Sequence, residues 1–145
     1  MSWAIRLSIA VLALVEGSQA TGKVLDMRLY AVALDRFRTF PPRLTPVVAV
    51  TWTAVEFIAF FMLVWTAATG GRPRALWTVG ATAALIDAVA YGALTIGASV
   101  RGIEVLNCTC FGAFLPQRLS LSVLAQDLVM AAWTCWTFVL AVRGK

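Results

Sequence analysis

Two thiols one residue apart, in Cys108-Thr109-Cys110-Phe111-Gly112, are the side chains in this sequence best suited to chemistry. With a single intervening residue their sulfurs are close enough to pair, yet the ring they close is so small that ordinary disulfide dihedrals and Cα separations are hard to reach. A bond of that kind is readily reduced, and strained or exposed disulfides exchange with an attacking thiolate. The opposing reading is a pair of reduced thiols, partly buried and serving as small apolar residues. Flanked by Asn107 and Gly112 in a polar break, Cys108 and Cys110 favour exchange, whereas Cys135, in the middle of an apolar run, favours packing. Two thiolates also suit a soft ion such as zinc or copper(I). The chain has no histidine and only one further cysteine, about 25 residues away, so one copy cannot close a four-ligand metal site.

The second chemical set is acidic. Glu16, Glu56, Asp87 and Asp127 each fall in or near a different long apolar run. A carboxylate at the centre of a bilayer costs several kcal/mol unless it is paired or hydrated, so these four are expected to face the interior of a bundle. They form a candidate polar pocket for handling protons beside the thiols, or for holding a quinone headgroup or another small substrate. Against that stands packing, in which each carboxyl bonds Thr, Ser, Gln or Trp and fixes helix neighbours. The two readings balance for Glu56 and Asp127, and packing leads for Glu16 and Asp87.

The elements that must position these groups follow from composition. The chain has 145 residues, of which 61% are hydrophobic and 13% charged, with a mean hydropathy of +0.84. A soluble domain carries about a quarter charged residues, so this chain cannot clothe itself in polar surface and is expected to be an integral membrane protein. Four runs match the roughly 20 residues that span a bilayer, at about 3–20, 44–68, 76–100 and 119–142. The fold class expected is all-α, four transmembrane helices in a bundle forming one domain over 1–145. The polar stretch 21–43 carries apolar residues at helical spacing from Val24 to Phe37, which predicts an amphipathic helix at about 24–38 lying on the interface with its basic residues toward lipid headgroups. Pro41, Pro42 and Pro46 end it and restart the chain as the second span. Gly70-Gly71-Arg72-Pro73-Arg74 predicts a tight turn, and 101–118 is left as the cysteine loop.

The six tryptophans lie mostly toward span ends, as headgroup anchors do, although helix contacts explain each of them equally well. The first span also resembles a secretory signal, with Arg6, an apolar run and Ser18-Gln19-Ala20, but Glu16 interrupts the pattern and retention is expected. The net charge of +5 is spread over loops and ends with no basic block interleaved with aromatics, so headgroup contact accounts for it and no nucleic-acid partner is expected. Five basic residues (Arg6, Arg72, Arg74, Arg143 and Lys145) share one face. Seven (Lys23, Arg28, Arg36, Arg38, Arg43, Arg101 and Arg118) share the face of the cysteine loop. A plain count places that loop in the cytoplasm. Thiol chemistry favours an oxidising compartment, and several of the seven belong to the helix expected to rest on anionic lipid, so the outer face is preferred.

In order along the chain come the first span, Gly22-Lys23, the interfacial stretch, Phe40-Pro41-Pro42, a second span with Glu56, and the Cys108 motif ahead of the fourth span. This order resembles the MauE family of methylamine-utilisation membrane proteins, relatives of the DoxX-like four-helix group. The likeness covers nearly the whole chain, and its most specific part is the cysteine motif, in which the family usually has glycine where this chain has Thr109. The resemblance implies a bacterial inner-membrane protein that works with a thioredoxin-like periplasmic partner on disulfides, in the named case those of the small subunit of methylamine dehydrogenase. A partner thiolate would attack the Cys108–Cys110 disulfide. Arg101 and Arg118 flank the loop as candidates to stabilise a thiolate, and Asn107, Phe111 and Gly112 shape it. A quinone is the candidate outlet for electrons. Two other classes stand beside this one: a structural subunit of a larger membrane complex whose cysteines pin an outer loop, and a transporter of soft metal ions.

Overall fold

The computed structural model describes residues 1–104, 111 and 120–143. It contains five helices among those residues: α1 (Trp3–Leu25), α2 (Met27–Arg36), α3 (Thr45–Thr69), α4 (Arg74–Val100) and α5 (Leu121–Arg143). Four of them, α1, α3, α4 and α5, are long and apolar enough to cross a bilayer, and no strand interrupts the all-α architecture of the described residues. α1 packs on α3, α3 on α4 and α4 on α5, while α2 lies chiefly against α3. The ring closes where Trp133 Nε1 of α5 donates to Ser8 Oγ of α1 at 2.6 Å.

The first two helix boundaries differ from the sequence expectation for a physical reason. Hydropathy falls after Ala20, but Thr21-Gly22-Lys23-Val24-Leu25 holds no proline, and α1 continues through it to Leu25. The chain bends at Asp26, whose carboxylate accepts the Leu29 N–H at 2.8 Å and caps α2. α2 is therefore shorter than the 24–38 predicted. It is also more than a float on the interface. Tyr30, Ala33 and Leu34 are buried, and with Phe37 they join Ala49, Tyr91, Leu94, Ala98 and Val123 in an apolar cluster at the end of the bundle that carries the 101–118 loop. A second cluster, built on Ile9, Leu12, Ala59, Leu63, Trp77 and Ala81, fills the other half.

Pro46 sits in the first turn of α3, where its missing N–H costs nothing, and Gly70 ends that helix in the left-handed region at φ 71°. Arg6 completes the end, donating to the Ala67 and Ala68 carbonyls at 2.9 Å each. Core threonines return their hydroxyls to their own helices, as Thr53 does to Ala49 O and Thr66 to Met62 O, so they bury without an orphaned group. The tryptophans divide. Trp3, Trp65 and Trp136 are exposed to the surroundings of the bundle, while Trp77 is buried in the core, and Trp52 and Trp133 spend their N–H groups inside.

Close contact of α3 and α4 depends on Gly80. A Cβ there would stand 2.8 Å from Met62 Cβ and 3.2 Å from Leu63 N, so the helices would have to part. Gly92, on the same helix, has nothing within 4 Å of a built Cβ. Gly80→Ala is expected to destabilise the bundle by about 1–3 kcal/mol, the cost of overpacking a well-filled contact. Gly92→Ala is expected to be neutral or stabilising by up to about 1 kcal/mol through helix propensity. Denaturant titration in detergent distinguishes them, and equal effects would mean that the α3–α4 contact is not tight at Gly80.

Candidate functional site

Between the two apolar clusters lies a layer of ionisable side chains, one or more from each of the three spans that meet there. At 1.5 Å per residue, Glu16 stands roughly 14 Å along α1 from Leu25, Glu56 roughly 17 Å along α3 from Thr45, and Asp87 roughly 20 Å along α4 from Val100. These depths put them near the middle of a hydrocarbon core about 30 Å thick. All three are buried. Asp127, roughly 9 Å into α5, is only partly buried and sits at the edge of the group.

The centre of the layer is a residue that sequence reasoning assigned to lipid headgroups. Lys23 points inward from the last turns of α1 and forms an ion pair with Glu56 Oε1. Both side chains are 0% exposed. The Lys23 ammonium also lies 4.5 Å from the ring centre of Tyr91 and 5.0 Å from that of Tyr30, within range of a cation–π contact with each. The Tyr91 hydroxyl donates to that of Tyr30 at 3.0 Å, which ties α2 over the ion pair. Trp52 meets Tyr91 edge-on at 4.9 Å between ring centres and donates its indole N–H to Asp87 Oδ1. The two tyrosine rings thus insulate the ammonium, while the Trp52 indole N–H holds the neighbouring Asp87 carboxylate.

The sequence expectation that the four acids face inward holds fully for Glu16, Glu56 and Asp87. Their partners mix the two readings. Trp52 on Asp87 and Thr95 Oγ1, 3.0 Å from Asp127 Oδ2, are the kind of bond that specifies helix neighbours. The Glu56 pairing with Lys23 is not. Oε2 of Glu16 and Oε2 of Glu56 are buried and accept no hydrogen bond from the described residues. Glu16 and Asp87 meet at a polar cavity of about 20 Å³ bounded by α1, α4 and α5, which is too small for a quinone ring. A larger groove of about 290 Å³ runs between α3 and α4, is lined by Val47, Val48, Trp52, Val55 and Ile86, and has Asp87 at its back.

Sequence reasoning missed Lys23, Tyr30, Tyr91, Trp52 and Thr95 as parts of this layer. Four acids in apolar runs demand a counter-charge, but Arg6, Arg43, Arg101 and Arg143 lie as near to a span as Lys23 or nearer, so the sequence does not single it out. Nothing in residue type singles out the two tyrosines.

Of the residues assigned to the thiol loop, Asn107, Cys108, Cys110, Gly112 and Arg118 lie outside the described residues. Arg101 is described, and its guanidinium is engaged in holding backbone. Nε donates to Gly97 O at 2.8 Å, Nη1 to Arg38 O at 3.2 Å and Nη2 to Thr39 Oγ1 at 3.1 Å. It locks the end of α4 to the link between α2 and α3. Phe111 packs against the apolar cluster formed by α2, α3, α4 and α5 at the loop end. Cys135 is exposed on α5, so it does not fill the interior contact expected of it.

Four apolar spans gathered around a buried ionic layer define a multi-pass integral membrane protein. The chain belongs to the MauE family: the family model of methylamine utilisation protein MauE matches residues 1–140. No curated protein and no solved structure matches it. Membership makes it a membrane protein associated with methylamine utilisation.

Proposed function

We propose that this protein is the membrane component of a thiol–disulfide relay that exchanges disulfides with a thioredoxin-like periplasmic partner through Cys108 and Cys110. The relay sits in the bacterial inner membrane with the cysteine loop on the outer face, and it serves the maturation of methylamine dehydrogenase or an analogous pathway. The observation that carries this reading is Phe111. The chain neighbour of Cys110, Phe111, packs on the apolar cluster that roofs the ionic layer, at the same end of the bundle as Tyr30, Tyr91 and Lys23.

The chemistry balances as a dithiol–disulfide exchange. A thiolate of the reduced partner attacks one sulfur of the Cys108–Cys110 bond, the other sulfur leaves as a thiolate, and the partner's second thiol resolves the mixed disulfide. The partner ends oxidised and Cys108 and Cys110 end as two thiols. Reoxidation passes two electrons and two protons to an acceptor, for which the quinone class is suited because it dissolves in the bilayer, and the α3–α4 groove offers an apolar berth beside Trp52 and Asp87.

Thiol trapping in intact cells tests the reading. A membrane-impermeant alkylating reagent, followed by mass spectrometry, is expected to modify Cys108 and Cys110 only after reduction. Modification without prior reduction would mean resting free thiols, and no modification after reduction, with the thiols countable in detergent, would place the loop away from the outer face.

A further inference from the structure

The ionic layer holds more acid than its single base requires. Lys23 answers Glu56 and Trp52 answers Asp87, but Glu16 Oε2 is buried and receives nothing from the described residues. A polar atom stripped of water without a replacement bond costs free energy, and in a membrane interior the cost for a charged one is several kcal/mol. Full ionisation of Glu16, Glu56 and Asp87 around one ammonium would leave two negative charges without a counter-ion near mid-membrane. A bound proton and a bound water each relieve part of that cost.

The cavity beside Glu16 is built for both. Its volume of about 20 Å³ matches one water molecule, which needs more than about 10–15 Å³ and two to four polar partners. Its walls supply Glu16 and Gln19 from α1, Asp87 and Tyr91 from α4, and Gln126 and Asp127 from α5. Apolar cavities of this size stay dry, and this one is lined by carboxyls, amides and a phenol. Gln19, Gln126 and Asp127 are only partly buried, so they form its rim, and Glu16 and Asp87 form its floor. The ionisable groups facing Glu16 from the elements around it are Lys23 on its own helix, Glu56 on α3, Asp87 on α4 and Asp127 on α5, with Tyr30 and Tyr91 beyond Lys23.

We infer that this cavity is a hydrated proton-exchange site, in which one water links the unpartnered oxygen of Glu16 to the Gln126–Asp127 rim and Glu16 takes up and releases a proton through it. Among the described residues, only Glu16 has both an unpartnered buried oxygen and a place on the cavity wall. Its link to thiol chemistry rests on the relay proposed above. Exchange needs a proton removed from each attacking thiol and one returned to each leaving thiolate, and the rim residue Asp127 lies near the loop end of α5. The site itself does not depend on that reading.

Infrared difference spectroscopy of the full chain in lipid vesicles, with H2O replaced by D2O, tests it. The wild type is expected to show a protonated-carboxyl C=O band that shifts within minutes of the exchange, and Glu16→Gln is expected to lose that band. Absence of the band, a band that ignores D2O, or a band of equal strength in Glu16→Gln would overturn the inference. Should Glu16→Gln fail to fold, Ala88→Leu fills the cavity wall without removing an acid and is expected to slow the shift at least tenfold; an unchanged rate would overturn it. A positive infrared result beside failed thiol trapping would leave the proton site standing without the relay, and the reverse would leave the relay standing without the site.

Discussion

Lys23→Met is expected to destabilise the bundle by about 3–5 kcal/mol, because it leaves the Glu56 carboxylate buried without its partner. Both side chains are fully buried and are joined by their ion pair, so neither can recover its solvation in place. The same change removes the cation from between Tyr30 and Tyr91 and loosens the hold of α2 on the end of the bundle. Glu56→Leu is expected to cost a similar amount by stranding the ammonium. The double variant, Lys23→Met with Glu56→Leu, is expected to regain most of the loss, since replacing a buried ion pair by apolar groups of similar volume is often neutral or stabilising. Unfolding by denaturant in detergent, followed through tryptophan fluorescence, gives the cycle. A coupling of at least about 2 kcal/mol is expected. If the two single costs simply add in the double variant, the pair is not the feature that holds this layer together.

If the double variant is stable, the reason for keeping the ion pair has to lie elsewhere than in stability. Burial of four charges' worth of side chains in a small bundle is costly against leucine and alanine. The layer also lies between the two apolar clusters. Such an arrangement fixes which helix faces meet, and it supplies groups that exchange protons. The first role would be served by the threonine and tryptophan bonds already present. The second needs ionisable side chains, and Glu16 beside its cavity provides one.

The sequence made the spans legible because their signal is solvent-level: long, predominantly apolar runs leave no alternative to a bilayer. Both ends of α3 and the start of α4 were equally readable from Pro46, Gly70 and Pro73, which punctuate the backbone by local sterics. The end of α1 was not, because hydropathy reports where lipid contact stops and helix geometry continues until something breaks it. The inward faces of Glu16, Glu56 and Asp87 followed from the cost of putting them anywhere else. The direction of Lys23 did not follow. A lysine a few residues past an apolar run reaches the headgroups as easily as the core, and the choice here is made by Glu56, 33 residues on, and by rings from α2 and α4. Those are tertiary facts, and local pattern carries no trace of them. Arg101 shows the same limit in reverse, for its place beside the loop suggested thiolate contact while its guanidinium is occupied by backbone carbonyls and Thr39.

Serine at Cys108, at Cys110 or at both is expected to slow oxidation of a reduced thioredoxin-like partner by membranes containing this protein by at least roughly a hundredfold, since a hydroxyl does not replace a thiolate as nucleophile or leaving group. The three variants should be equally impaired. Both sulfurs act in one exchange cycle, and groups that act as a unit lose nearly everything with the first removal. Stability gives the contrast with a purely structural pair. A loop closed by so few residues constrains the unfolded chain little, so breaking the bond has a small entropic effect, and the variants are expected to reach the membrane and unfold within about 1 kcal/mol of the wild type. Loss of assembly or stability with exchange unaffected per folded molecule would instead assign the cysteines to pinning the loop. An intermediate pattern is informative too. If, given the oxidised partner, Cys108→Ser traps a mixed disulfide between the partner and Cys110 while Cys110→Ser traps none, then by reversibility Cys110 is the sulfur that a reduced partner attacks, and the anchoring of its neighbour Phe111 on the bundle acquires a reason.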